Sequence, residues 1–92
     1  MIRSFRCRET EKVFRLQFSR KFQANARVAK RRLDQLHAAV SLADLAAIPG
    51  NRLEALSGDR EGQHGVRVND RWRICFWWRD GEALNVEIVD YN

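Results

Sequence analysis

The sequence predicts an α+β fold in which N-terminal helices pack on one face of a small, mainly antiparallel sheet. Two observations carry that expectation. Apolar residues recur at helical intervals in the first half of the chain and alternate in the second, and the change of period falls at Pro49-Gly50, where neither a helix nor a strand interior is comfortable. No repeat, low-complexity tract or linker divides the 92 residues, so one domain spanning 1–92 is expected.

Taken in order, Ile2 to Phe5 reads as a short edge-like strand, and Glu9 to Phe18 as a first helix with Thr10 as its cap candidate. Asn25 is placed to cap the main helix, which runs to about Val40: Ala29, Leu33, Leu36 and Val40 form one apolar stripe. The other faces of that helix carry Arg27, Lys30, Arg31, Arg32 and His37, so it is basic where it meets solvent. Ser41 caps a short turn of helix, Leu42 to Ala47, before Pro49 stops it. Arg52 to Leu56 is a short strand candidate, followed by the polar loop Ser57 to Gln63 with its two glycines. His64 to Val68, Arg71 to Trp78 and Ala83 to Tyr91 then alternate as the strands of an antiparallel meander.

Parity fixes the register. Val66 and Val68 need the same face as Trp72, Ile74 and Phe76, and a two-residue Asn69-Asp70 turn would set Val66 opposite Arg73. A three-residue loop, Asn69-Asp70-Arg71, restores the match. The same reasoning at Arg79-Asp80-Gly81 gives a three-residue loop with Gly81 left-handed, and so puts Leu84, Val86 and Ile88 on the apolar face. Arg67, Arg73, Cys75, Trp77, Glu87 and Tyr91 share the opposite parity. Such a face is either the ordinary solvent side of a half-buried sheet or, because facing arginines repel, a surface shaped for an anionic ligand.

Seventeen Lys+Arg against twelve Asp+Glu give a net charge of +5, which suits a polyanionic partner, with a solvated basic surface as the alternative reading. The 45% apolar content and single proline are those of a globular chain. Cys7 and Cys75 are too few and too far apart for a disulfide framework or a zinc site, and reduced thiols in the cytoplasm are expected. Met1 to Arg6 lacks the apolar core of a signal peptide and no stretch has the length of a membrane span, so a soluble cytoplasmic protein with no membrane partner is expected.

Metal-ligand clusters, Gly-rich phosphate loops and nucleophile elbows are absent from the sequence, so no metal or cofactor is expected. What remains is metal-free phosphodiester cleavage, in which an RNA 2′-OH attacks the adjacent phosphorus and the protein supplies a base, an acid and fixed positive charge. Arginine serves the last role because its planar fork stays charged and meets phosphate oxygens two at a time. His64, Glu54, Glu87, Asp90 and Tyr91 are the proton-carrier candidates.

Ile2-Arg3-Ser4-Phe5, Arg52-Leu53, Leu56 to Gln63, Val66 to Phe76 and Val86 to Tyr91, in that order, resemble the HigB branch of the RelE/ParE toxins over the whole chain. The resemblance implies a RelE-like compact fold, a ribosome-associated endoribonuclease acting on translated mRNA, and neutralisation by a HigA-like helix-turn-helix antitoxin whose complex with the toxin represses its own operator DNA. By motif position it implies that Arg67 and Arg73 stabilise the scissile phosphate, that Arg60 is a nearby phosphate contact, and that Asp90 and Tyr91 lie beside the active site. Lys30, Arg31 and Arg27 on the basic helix would add to RNA binding. Three departures stand out: the family's terminal His is Asn92, a common loop Lys is Ser57, and a His of many members is Glu54. Asparagine is no acid or base near neutral pH, so weakened cleavage is expected, with Glu54 or Tyr91 as substitutes. The alternatives are a ParE-like toxin acting on DNA gyrase without nuclease activity, and a non-catalytic RNA-binding module.

Overall fold

The computed structural model describes Met1–Asp90 of the chain. Helices α1 (Arg8–Phe14), α2 (Ala26–Ala38) and α3 (Leu42–Ala46) precede a sheet of β1 (Glu54–Ala55), β2 (Gln63–Arg67), β3 (Trp72–Arg79) and β4 (Glu82–Asp90), with a 3₁₀ turn at Gly58–Arg60. The four strands lie in sequence order and every neighbouring pair is antiparallel. The first residues add a parallel fringe to β4, bridging Ile2 to Ala83 and Phe5 to Val86. The expected α+β architecture is therefore present, with the edge segment at Ile2 to Phe5 where the sequence put it.

One core lies between the helices and a single sheet face. Ala29, Leu33 and Leu36 of α2 meet Val66, Ile74, Phe76, Val86 and Ile88, with Val13, Phe22, Leu45 and Trp72 closing the sides. Fully burying each large apolar side chain contributes roughly 1.5–3 kcal/mol, which is why the helix stripe and the strand alternation must face each other. Val40 is the exception to the expected stripe. The helix ends at Ala38 and the chain turns extended at Ala39, so Ala39 takes the buried place and Val40 stands 77% exposed.

Capping divides the helices. Ser41 accepts from the Asp44 amide while the Asp44 carboxylate accepts from the Ser41 amide, a reciprocal cap that lets a five-residue helix persist. Asn25 occupies the N-cap of α2 but its side chain makes no cap bond; its Oδ1 instead accepts from Asn69 Nδ2 at 2.8 Å and ties the helix to the β2–β3 loop. Thr10, expected as a cap, lies inside α1, which starts after Cys7 and stops at Phe14, short of Phe18. Its buried hydroxyl accepts from the Ile88 amide at 2.9 Å, fastening α1 to β4. Glu9 accepts from Lys12 and from Ser19, which together hold its carboxyl below the usual value.

The register agrees with the parity argument on one side and departs from it on the other. Arg67 faces Arg73 and Val66 faces Ile74, with Asn69-Asp70-Arg71 as the connecting loop. Between β3 and β4 the turn is two residues: Arg79 pairs with Glu82, and Asp80 and Gly81 both have positive φ, as a tight hairpin of this twist requires. That shorter turn shifts the parity by one, and a bulge restores it. Trp77 faces Leu84 whereas Cys75 faces Glu87, so β4 carries one extra residue between them, at the left-handed Asn85. As a result Ala83, not Leu84, enters the core, while Val86 and Ile88 sit there as expected.

Candidate functional site

The face of the sheet turned away from the helices is organised in three rows across the strands. Glu54, Gly65, Cys75 and Glu87 stand in register in the middle; Arg67, Arg73 and Val89 form one flanking row; Gln63, Trp77 and Leu84 form the other. Flanking core residues hold these side chains in place, since Arg73 lies between buried Trp72 and Ile74 and is itself only 16% exposed along its side chain. Two guanidinium groups on facing residues of rigid strands repel, and carboxylates offset that repulsion. Arg67 pairs with Asp70 of the adjoining loop. Arg73 reaches across β2, over the strand position where Gly65 offers no side chain, to Glu54 at 3.1 Å. Glu87 is held from both sides, by Arg60 at 3.0 Å and Arg6 at 3.2 Å, and Arg60 also donates to Gln63 at 3.2 Å.

Beneath these charges lies Cys75, fully buried. Burial pushes its thiol pKa up, and the guanidinium of Arg60 opposes the shift only in part. Leu56, buried outside the main core, packs over Gly65 and forms part of the floor. Burial lowers the pKa of the Arg32 guanidinium, the like charges of Arg31 and Arg67 add to that shift, and Arg32 is anchored on Asn51 at 2.8 Å. Arg32 thus extends the cationic edge. The sequence showed it only as one basic residue of the helix.

The candidate residues sort by face. Arg67, Arg73, Arg60 and Glu54 come together on the open side. His64 does not: it shares parity with Val66 and stacks on Phe76 on the core side, with centroids 6.4 Å apart. Asp90 faces Trp72 across the strands and pairs with Arg71 at 2.9 Å, at the end of the sheet. Tyr91 and Asn92 lie outside the described residues. Arg27 and Lys30 line a groove with Val13, Leu16 and Phe18 between the first two helices; Lys30 pairs with Asp34 at 2.6 Å and lies over the Phe14 ring, away from the arginine rows. Arg31 is exposed. Sequence reasoning missed Arg6, whose role depends on the N-terminal fringe, and Arg71, whose guanidinium lies 4.6 Å over the Trp72 ring. Among the described residues no cluster of His, Cys, Asp and Glu could hold a metal ion, and no helix is long and apolar enough to cross a membrane.

Helices on one sheet face and fixed arginines on the other define a small basic α+β protein of the RelE-like toxin class. The chain belongs to the HigB-like toxin family, described as the RelE-like toxin of the type II toxin–antitoxin system HigB, whose model matches residues 3–92. Toxin HigB-1 of Vibrio cholerae serotype O1 is 47% identical over 55 residues, covering 60% of this chain and 58% of that protein. Endoribonuclease HigB of Proteus vulgaris is 39% identical over 41 residues, covering 45% of each. The matched stretches thus span about half the length of these curated relatives. In fold the chain is similar to one from the heterotetrameric YoeB–YefM toxin–antitoxin complex of Staphylococcus aureus, with a TM-score of 0.63, 14% identity, and coverage of 100% of this chain and 98% of that one.

Proposed function

We propose that this HigB-family toxin is a metal-independent endoribonuclease that cuts translated mRNA on the ribosome through the arginine-bearing sheet face. The observation that carries the reading is the facing pair Arg67 and Arg73, with the Glu54 carboxylate 3.1 Å from Arg73. A phosphate entering between the guanidinium groups would exchange their carboxylate partners for its own oxygens. Charge that builds on the phosphorane would then meet donors already in place. The ribose 2′-hydroxyl oxygen attacks phosphorus, the bond to the 5′ oxygen breaks, and a 2′,3′-cyclic phosphate forms. One group takes the 2′ proton and another returns a proton to the leaving oxygen. Glu54, freed as Arg73 turns to the phosphate, is the carboxylate on this face suited to the first role; Tyr91 and Asp90, by motif position, are the candidates for the second. Losing the family's His at positions 54 and 92 lowers the rate without removing the electrostatic part. A helix-turn-helix antitoxin of the HigA kind is the proposed partner, linking the complex to operator DNA, and the cytoplasm is the proposed site of action.

Arg73→Ala tests the reading. In a translation reaction the wild type should cut transcripts within codons, Arg73→Ala should lose roughly 10²–10³-fold in rate, and Arg73→Lys should recover part of it, because an ammonium supplies charge without the fork. Full activity in a folded Arg73→Ala variant would remove the clamp. Toxicity with intact mRNA and DNA damage would move the assignment to a gyrase-directed toxin.

A further inference from the structure

Among the described residues the exposed large apolar side chains are Met1, Leu16, Phe18, Val40 and Trp77, and Trp77 is the one held within a strand. It is 40% exposed, on the same face as the arginines and four residues along β3 from Arg73. Its position is set by its neighbours. Gly62, at φ +96°, has no side chain where the indole lies: a Cβ there would stand 2.5 Å from Trp77 Cζ3. The ring is thus braced on one side and open on the other. Beside it the bulge at Asn85 turns Leu84 to this face, and Trp77, Trp78, Arg79, Leu84 and Asn85 line an open pocket of about 260 Å³.

We infer that this pocket is a nucleobase subsite, in which a base of the RNA strand whose scissile phosphate lies at Arg67 and Arg73 stacks on Trp77. The inference rests on the endoribonuclease reading and adds to it. An indole stacks on any base, while the Asn85 carboxamide, whose Oδ1 accepts from Ser4 Oγ at 3.4 Å, offers its N–H donors to the base edge, and Arg79 supplies a cation for its phosphate. Four residues of strand separate Trp77 from Arg73 by about 13 Å. A strand passing the arginines reaches the pocket within a few nucleotides of the cut. Continuity with the arginine rows, and the polar groups of Arg79 and Asn85 beside the apolar walls of Trp77, Trp78 and Leu84, favour a base, which has both a flat face and a polar edge, over an apolar side chain of a partner protein.

The experiment replaces single nucleotides around a mapped cut in a translated transcript with abasic ones. Single-turnover cleavage is then followed for the wild type, Trp77→Phe and Trp77→Leu. In the wild type one abasic position near the cut should slow cleavage by roughly tenfold. Trp77→Leu should be slower than wild type by a similar factor on the intact transcript and indifferent to that abasic position, while Trp77→Phe should keep most of the rate and of the abasic penalty. If Trp77→Leu melts early, Trp77→Thr, a strand former without a ring, carries the same comparison against Trp77→Phe. Unchanged cleavage by folded Trp77→Leu, or an abasic penalty that the variants share in full, would overturn the subsite and leave the nuclease intact. Normal cleavage with lost antitoxin binding would also overturn it, assigning the ring to a protein partner. A wild type that cuts no RNA would sink the endoribonuclease reading and this inference with it.

Discussion

The two faces of the sheet are built from the same strands under different rules. Toward the helices, Val66, Ile74 and Ile88 stand in one row and are removed from water, so each is held by what it touches. Toward solvent, the neighbouring row of Arg67, Arg73 and Val89 is held mainly by its backbone, and its charges are offset by Asp70 and Glu54. Burial fixes the scaffold, while the ion pairs hold the open face in a state in which an incoming anion can replace the carboxylates. Stability and activity should therefore separate between adjacent residues of β3.

Truncating Ile74 and Arg73 in turn separates the two faces most strongly. Ile74→Ala should cost about 2–5 kcal/mol in urea unfolding, because the methylenes leave a cavity in a packed core. Arg73→Ala should cost less, about 1–2 kcal/mol, since the guanidinium is largely covered but the Glu54 carboxylate it leaves behind is 44% exposed and water can take the place of its partner. Cleavage should show the reverse order when assayed under conditions where both variants are folded. Equal losses of stability would mean that the arginine row is part of the scaffold.

How far the sequence revealed this arrangement depends on how local each cause is. Facing of Arg67 and Arg73 was legible because the loop between them had to be odd for both valines to be buried. The same parity put Trp77 with Arg73, and it would also have placed His64 with Val66, on the side away from the arginines, a signal present in the alternation that went unused. Leu84 could not be assigned this way. A three-residue turn without a bulge and a two-residue turn with one give the same parity beyond the bulge, so counting from Val86 and Ile88 cannot tell them apart. The contacts of Thr10 with Ile88, and of Arg6 with Glu87, join positions far apart in the chain and leave no periodic trace.

The bulge supplies a second, smaller test. Asn85 has φ +52°, a conformation that costs most side chains about 1–2 kcal/mol but Asn less and Gly least. Asn85→Ala should lower stability by about 1 kcal/mol, and Asn85→Gly should leave it nearly unchanged, as read by thermal unfolding. If Ala is as stable as Asn, the backbone there is not left-handed in solution and the open face differs from the one described. The least effect concerns the two thiols. Cys75 is buried and its pKa is raised above the ordinary 9.0, whereas Cys7 is half-buried. At neutral pH a thiol reagent should modify Cys7 first and Cys75 only after denaturant is added. Raising the pH should quicken Cys75 only beyond that ordinary value, because burial favours the neutral thiol. Rapid labelling of both would mean that the floor of the arginine face opens readily.

The fringe that the first residues lay along β4 has a consequence for how the molecule is made. Ser4 and Asn85 are 81 positions apart and bonded, with Ile2 and Phe5 bridged on either side. A ribosome delivers the second of these partners only 81 residues after the first. Until then, Ile2 has no strand to join and Thr10 no amide to accept from. Pairing across so long a loop is slow to nucleate, since closure entropy must be met before the contact is rewarded. The arginine face needs β4 to hold Glu87 and to back Arg73, so it is assembled only once β4 has been made, and a growing chain stays without it until then.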